Sequence, residues 1–129
     1  MGRRLRYLLL AMLTIIVGLP IHQHGLGLGP VASDALGDML WATMIVWWIS
    51  VLAPTWSTAR RAAVSLAICF AVEYSQLLHA GWLDGLRATL PGHLVLGSDF
   101  DPRDLLAYAG GVLSAAAIDW IFFGRPQAG

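Results

Sequence analysis

The sequence predicts an all-α, polytopic membrane protein: a single domain, residues 1–129, folded as a bundle of four transmembrane helices. Its residues are 57% hydrophobic and 12% charged, and the mean hydropathy is +0.67, a composition typical of chains that fold in lipid. Four charge-poor stretches each approach the ~20 residues that a bilayer-spanning helix needs. The lipid bilayer is therefore the first predicted partner.

Each predicted span is an apolar stretch with at most one charged residue inside it. The first stretch is short and follows the basic residues RRLR. It could be a signal peptide, but the following GLPIHQHG lacks a small-x-small cleavage site, so we expect an uncleaved helix. Pro54 predicts the end of the second span, or a kink in it. The four spans are Tyr7 to Ile21, Met39 to Ala59, Ala62 to Leu83 around Glu73, and Leu105 to Phe123 around Asp119.

Positive charge is distributed unevenly between the two sides of this bundle. Four spans place both termini on one side, and only Arg87 and Arg103 fall on the other. Six arginines against two in short loops is a positive-inside bias, which predicts cytoplasmic termini and outward loops at residues 22–38 and 84–104. The six arginines of the cytoplasmic side are Arg3, Arg4, Arg6, Arg60, Arg61 and Arg125.

Charge and motif content argue against several classes of protein. Eight acidic and eight basic residues give a net charge of zero, without the clustered basic face that a nucleic-acid partner needs. Cys69 is the single cysteine and cannot form an internal disulfide. No Gly-rich phosphate loop, nucleophile elbow or Cys cluster is present, so no cofactor is predicted. The oligomeric state is left open.

The polar residues of the third span lie on one predicted helix face. Ser65, Cys69, Glu73 and Gln76 follow i, i+4, i+8, i+11 spacing, which forms a stripe along a helix. An ionisable group at membrane depth turns toward a protein partner or a water-filled cavity. Glu73 is nine residues from Trp82, the predicted outer boundary, or roughly 13 Å of helix. Glu73 either joins helices together with Gln76 or belongs to a functional site.

Acidic residues and histidines collect on the predicted outer side. Two interpretations are open: these side chains are ligands of a site, or outer loops keep acids because topology removes Lys and Arg. Asp38 in particular fits either a helix start or the acidic group. No metal motif joins the histidines. The outer residues are Asp34, Asp38, Asp84, Asp99, Asp101, Asp104, His22, His24, His79 and His93.

The fourth span begins with strong helix-start signals. Asp101 fits an N-cap, Pro102 fits the first helical position, and Asp104 stands three residues after the cap, where a carboxylate favours the positive helix end. Capping is one explanation of Asp101 and Asp104, and a place in the outer acidic site is the other. At the other end of this span, Asp119 lies close in depth to Arg60, Arg61 and Arg125, which predicts an interfacial ion pair.

One face of the fourth span predicts a contact with the third. Asp104, Tyr108, Gly111 and Ala115 share a helix face, and Ala107, Gly111 and Ala115 repeat small residues every fourth position. A neighbouring helix can approach closely there. Since Tyr108 and Glu73 both fall in the outer half of the bundle, we expect a hydrogen bond between them.

These segments also resemble a known group of membrane proteins. EYSQ, residues 73–76, followed by FDPRDLLAYAGG, residues 100–111, resembles the VanZ-like proteins, whose pattern is Glu-x-x-Gln, then Phe-Asp-x-x-Asp-x-x-x-Asn-x-x-Gly. The chain looks closer still to a sister family of short bacterial membrane proteins of unknown function, in which Gly-Asp precedes Leu-Trp, as at residues 37–41. In that family Tyr replaces the Asn, as at Tyr108 here.

The resemblance implies a bacterial inner-membrane location and a role in the cell envelope, without implying a reaction. The VanZ-like family is named for a protein implicated in glycopeptide-antibiotic resistance. Tyr108 cannot supply the paired donor and acceptor of an Asn side chain, so VanZ-like chemistry does not transfer directly.

The leading functional hypothesis is an outward-facing polar pocket that binds a small molecule or a lipid headgroup. A second is a metal-assisted enzyme acting on an envelope precursor, with Glu73 as general acid or base and Asp101, Asp104 and His79 or His93 as ligands. A third is a structural or assembly protein without a ligand. The predicted ligand-binding residues are Glu73, Gln76, Asp101, Asp104, Tyr108 and Asp38.

Overall fold

The chain folds into α-helices. The computed structural model describes residues 2–24, 27, 29–77, 81–89 and 102–123, and no strand occurs in these residues. Within them we number five α-helices in chain order. They are α1 (Arg3–His24), α2 (Pro30–Leu52), α3 (Thr58–Ser75), α4 (Gly81–Arg87) and α5 (Pro102–Phe123).

Local start and stop signals set several of the helix ends. Pro30 and Pro102 begin α2 and α5, at a position where the missing N–H has no helical partner to lose. Ser57 caps α3, because its side chain accepts a hydrogen bond from a first-turn backbone N–H. Helix α2 ends at Leu52, two residues before Pro54, so the prediction of a helix end near this proline is confirmed.

The four long helices alternate in direction. Helix α2 packs against α1, α3 and α5, and α3 also packs against α5. At one end Arg3 of α1 donates a hydrogen bond to the Pro54 carbonyl beyond α2, at 3.1 Å. Further along α1, Gly18 faces the side chain of Leu40. One end of the bundle therefore joins the start of α1 and α3 to the end of α2 and α5.

The closest approach between α2 and α5 occurs at Gly111. A Cβ atom at this position would overlap the Met39 carbonyl oxygen and would lie 3.0 Å from the Ala42 Cβ. The Thr43 hydroxyl also donates a hydrogen bond to the Gly111 carbonyl at 3.1 Å. Gly111 and Ala115 are buried, which confirms the predicted small-residue face.

A small apolar core fills the space between the helices. Trp47 is buried in it and stacks with Tyr7, with 6.0 Å between ring centroids. The core comprises Tyr7, Ala11, Ala42, Val46, Trp47, Cys69, Tyr108, Val112 and Ala115.

The helix bounds correct two of the predicted spans. Helix α2 begins at Pro30 instead of Met39, because the helix continues through polar residues that a hydropathy pattern leaves out. Helix α3 ends at Ser75 instead of Leu83, and Trp82 belongs to the separate helix α4. The apolar run continues through the end of α3 and therefore carries no signal of the break.

Arg87 of α4 stabilises the end of α3. Its Nη2 donates a hydrogen bond to the Ser75 carbonyl at 2.6 Å, and its Nη1 pairs with Asp84 at 3.1 Å. The last carbonyls of a helix have no partner within it, and a cation there also favours the negative helix end. A side chain from α4 thus donates a hydrogen bond to the end of α3, a helix end that the hydropathy pattern did not predict.

Three of the described helices are long and apolar enough to cross a membrane. They correspond to Arg3–Ile21, Val31–Leu52 and Pro102–Phe123. Helix α3 has only 18 residues, among them Arg60, Arg61 and Glu73, and does not qualify by the same measure. The predicted count of four spans is therefore not confirmed, whereas a membrane-protein architecture is supported.

Candidate functional site

Tyr108 and Glu73 form a buried hydrogen bond between α5 and α3. The Tyr108 hydroxyl donates to Glu73 Oε2 at 2.8 Å, and the two side chains are 5% and 0% exposed. This bond confirms the contact predicted from the helix faces. Ser65, Cys69 and Gln76 are buried as well, so the polar stripe of α3 faces protein, as predicted.

Two further carboxyl groups lie beside this bond. The Asp38 carboxyl, from α2, lies close enough to that of Asp104, from α5, to interact with it, and it also interacts electrostatically with Glu73 and Asp34. Both aspartates also interact electrostatically with Tyr108. Three helices thus bring together what we call the acidic cluster, defined as Asp38, Glu73, Asp104 and Tyr108.

The chemistry of the acidic cluster follows from its like charges. An ionised carboxylate only accepts hydrogen bonds, so a bond between the Asp38 and Asp104 carboxyls needs a proton on one of them. Without that proton the two groups repel each other. Neither aspartate forms an ion pair with any residue that the structure describes. The cluster is therefore suited to hold a proton, or a ligand that brings positive charge or hydrogen-bond donors.

Trp41 adds an aromatic wall to the acidic cluster. Its ring lies 5.4 Å from that of Tyr108, centroid to centroid, at an interplanar angle of 47°. Its Nε1 is buried and has no hydrogen-bond partner in the described part of the chain. Buried donors are rarely left without an acceptor. The Trp41 side chain thus brings to the site an N–H donor that no described residue uses.

Helix-end electrostatics favour only one of the three carboxyl groups at its position. Asp104 lies in the first turn of α5, where the positive helix end favours an acid. Glu73 lies in the last turn of α3, where the negative helix end disfavours it, and Asp38 lies beyond the first turn of α2. The predicted depth of Glu73 assumed one continuous helix from Glu73 to Trp82. That depth is wrong, because α3 ends at Ser75 and Trp82 lies in α4.

The remaining predicted ligand residues divide into two groups. Gln76 is buried and forms the C-terminal cap of α3. Asp101 lies outside the described residues, as do His79 and His93. Among the residues that are described, no group of three His, Cys, Asp or Glu side chains is arranged to hold a metal ion. The metal-assisted hypothesis thus depends on residues beyond those that the structure places.

A second buried polar cluster lies at the opposite end of the bundle. Asp119 pairs with Arg61 at 3.0 Å, so a predicted partner is confirmed. Their side chains are only 4% and 5% exposed, so the helices enclose this pair. Arg61 turns inward because polar groups of other helices surround it. We call this cluster the arginine network: Tyr7, Ser50, Thr58, Arg61 and Asp119.

Hydrogen bonds in the arginine network join all four long helices. Arg61 Nη1 donates to Ser50 Oγ at 2.8 Å and to the Tyr7 hydroxyl at 3.2 Å. The Tyr7 and Thr58 hydroxyls both donate to the Asp119 carboxylate. All three guanidinium nitrogens of Arg61 have acceptors. We therefore interpret this network as a structural link between the helices. Each long helix contributes at least one polar residue to this end of the bundle.

Comparison with known proteins assigns the chain to a family. Residues 29–112 match the model of a family described as "Protein of unknown function (DUF2809)", and the chain belongs to that family. All four residues of the acidic cluster lie within the matched range, whereas Tyr7 and Asp119 of the arginine network lie outside it. The match carries no evidence for the VanZ-like relationship. No solved structure is similar enough to register as a match.

Proposed function

We propose that this DUF2809 member is a small bacterial inner-membrane protein whose acidic cluster binds a small molecule or a lipid headgroup of the cell envelope. In this proposal both termini are cytoplasmic and the acidic cluster lies toward the outer face. The arginine distribution supports that orientation. Three span-like helices support the membrane setting.

The observation that carries the proposal is the convergence of Asp38, Glu73 and Asp104 from three different helices. Holding like-charged groups together lowers stability unless a proton or a ligand compensates. For Asp38 and Asp104 the described chain supplies no compensating cation. A ligand with an ammonium group or several hydrogen-bond donors would compensate the charge of these carboxyl groups.

The Trp41 indole N–H further restricts which chemical groups the ligand should carry. A ligand that also carries an acceptor, such as a phosphate or hydroxyl oxygen, would satisfy this buried donor. An ammonium and an acceptor within one small group describe a zwitterionic or amino-alcohol headgroup. The ammonium would compensate the carboxyl groups, and the acceptor would bind the Trp41 N–H.

Two other functions compete with this one. A structural protein would use the Tyr108 to Glu73 bond only to hold α3 against α5. A metal-assisted enzyme would need Asp101 and a histidine to approach Asp104. Of these two alternatives, only the structural one is supported by an observed contact. The experiment described next distinguishes it from ligand binding.

The test is thermal unfolding of the purified protein in detergent, alone and with added phosphatidylethanolamine, phosphatidylglycerol or Mg²⁺. We expect phosphatidylethanolamine to raise the melting temperature of the wild type, and Asp104→Asn to abolish that gain while remaining folded. The matched control is Asp84→Asn, which removes the same charge from an exposed position in α4 and should keep the gain. If no additive stabilises the wild type and Glu73→Gln merely lowers its melting temperature, the cluster is structural. A gain with Mg²⁺ alone would favour the enzyme alternative.

A further inference from the structure

An apolar groove with a cationic end lies far from the acidic cluster. It has a volume of about 450 Å³ and is lined by Arg6, Leu9, Leu10 and Leu13 of α1 and by Phe123 of α5. A volume of this size falls within the range of small-molecule sites. Four of the five lining side chains are apolar and the fifth is a cation, so the groove is amphipathic along its length.

Arg6 differs from the basic residues around it. Its guanidinium lies over the Phe123 ring, 4.5 Å from the centroid, and forms no ion pair or side-chain hydrogen bond with a described residue. Arg3 donates to the Pro54 carbonyl, and Arg61 is fully used within the arginine network. Arg6 is thus a half-buried cation whose charge no described acid neutralises.

Among the described residues, the carboxylate at this end of the bundle forms no ion pair with Arg6. Asp119 already accepts bonds from Tyr7, Thr58 and Arg61. The Arg6 Nε is buried and has no acceptor among the described residues, an uncommon state for a guanidinium, whose fork is shaped to bind carboxylate or phosphate. An anion at the mouth of the groove would complete the coordination of this side chain.

We propose that this groove binds one anionic phospholipid, with its phosphate on Arg6 and an acyl chain along Leu9, Leu10 and Leu13. The charge is complementary, and the leucines offer the apolar surface that a chain requires. Leu9 and Leu13 are about half exposed, so a chain can lie against them without displacing the core. This site is independent of the acidic cluster, which takes ligands of the opposite charge.

The test is native mass spectrometry of the detergent-purified protein titrated with dioleoylphosphatidylglycerol, dioleoylphosphatidylcholine or glycerol phosphate, the last being a headgroup without chains. We expect the wild type to bind phosphatidylglycerol at least fivefold more tightly than phosphatidylcholine. Arg6→Gln should remove that preference. Arg4→Gln, which removes the same charge from an exposed position on the same helix, should change it less than twofold.

A second variant tests the apolar part of the site. Leu13→Trp fills the groove from an exposed position and should weaken phosphatidylglycerol binding while thermal unfolding stays unchanged. Equal effects of Arg6→Gln and Arg4→Gln would overturn the proposal in favour of a diffuse basic surface. Glycerol phosphate binding as tightly as the lipid, with no effect of Leu13→Trp, would also overturn it, since the anion would then bind without its chains.

Discussion

The Tyr108 hydroxyl on α5 donates a 2.8 Å hydrogen bond to the Glu73 carboxylate on α3, and both side chains are buried. This one contact joins the polar stripe of α3 to the small-residue face of α5. It also places Glu73 beside Asp38 and Asp104. The acidic cluster is therefore built on an interhelical bond and cannot be separated from the packing of the bundle.

Removing this hydroxyl should destabilise the protein. Tyr108→Phe leaves Glu73 buried without this donor, and we expect a loss of about 1–3 kcal/mol in the free energy of unfolding. Glu73→Gln should lose less, because an amide oxygen still accepts the Tyr108 hydroxyl. Unfolding in mixed micelles measures both. Equal losses for the two variants would show that the bond itself contributes little.

The close approach at Gly111 predicts a sharp difference between neighbouring glycines. Gly111→Ala adds a methyl group that overlaps the Met39 carbonyl, and overpacking of this kind costs typically about 1–3 kcal/mol. Gly110→Ala is the matched control, since its Cβ would meet only the flexible Met39 side chain at 3.5 Å. Comparable melting temperatures for the two variants would contradict the observed packing of α2 on α5.

The arginine network should behave as a coupled unit. Arg61→Met or Asp119→Leu leaves one buried charge without its partner, and each should cost about 3–5 kcal/mol. The double variant should lose much less than the sum, because it buries no unpaired charge. A double-mutant cycle on unfolding free energies measures this coupling. Additive losses would mean that the two residues act independently despite their 3.0 Å contact.

Residues with a local signal were predictable from the sequence. The contact of Glu73 with Tyr108 followed from two helical periodicities, and Pro102 and Pro54 marked helix ends by their missing N–H. The spacing of small residues identified the face on which Gly111 meets α2. In each case the information lies within one turn or one helix face.

Features that depend on distant partners were missed. The burial of Arg61 depends on hydroxyl groups from other helices, and in the sequence it is equivalent to Arg60, which is exposed. The end of α3 depends on Arg87, twelve residues beyond the Ser75 carbonyl that it contacts. The pairing of Asp38 with Asp104 was not foreseen, because the apolar pattern placed Asp38 at the start of its helix.

The melting temperature of ligand-free Asp38→Asn tests whether the acidic cluster is built to bind a ligand. Asparagine replaces a carboxyl that must take up a proton to lie beside Asp104, and it can still donate a hydrogen bond to Asp104, so we predict a melting temperature several degrees above wild type, equivalent to about 0.5–2 kcal/mol. Asp34→Asn makes the same substitution at an exposed position in α2 and should have a smaller effect. The gain from phosphatidylethanolamine should disappear in Asp38→Asn. A lower melting temperature for ligand-free Asp38→Asn would contradict the account, because the carboxylate would then be holding helices together.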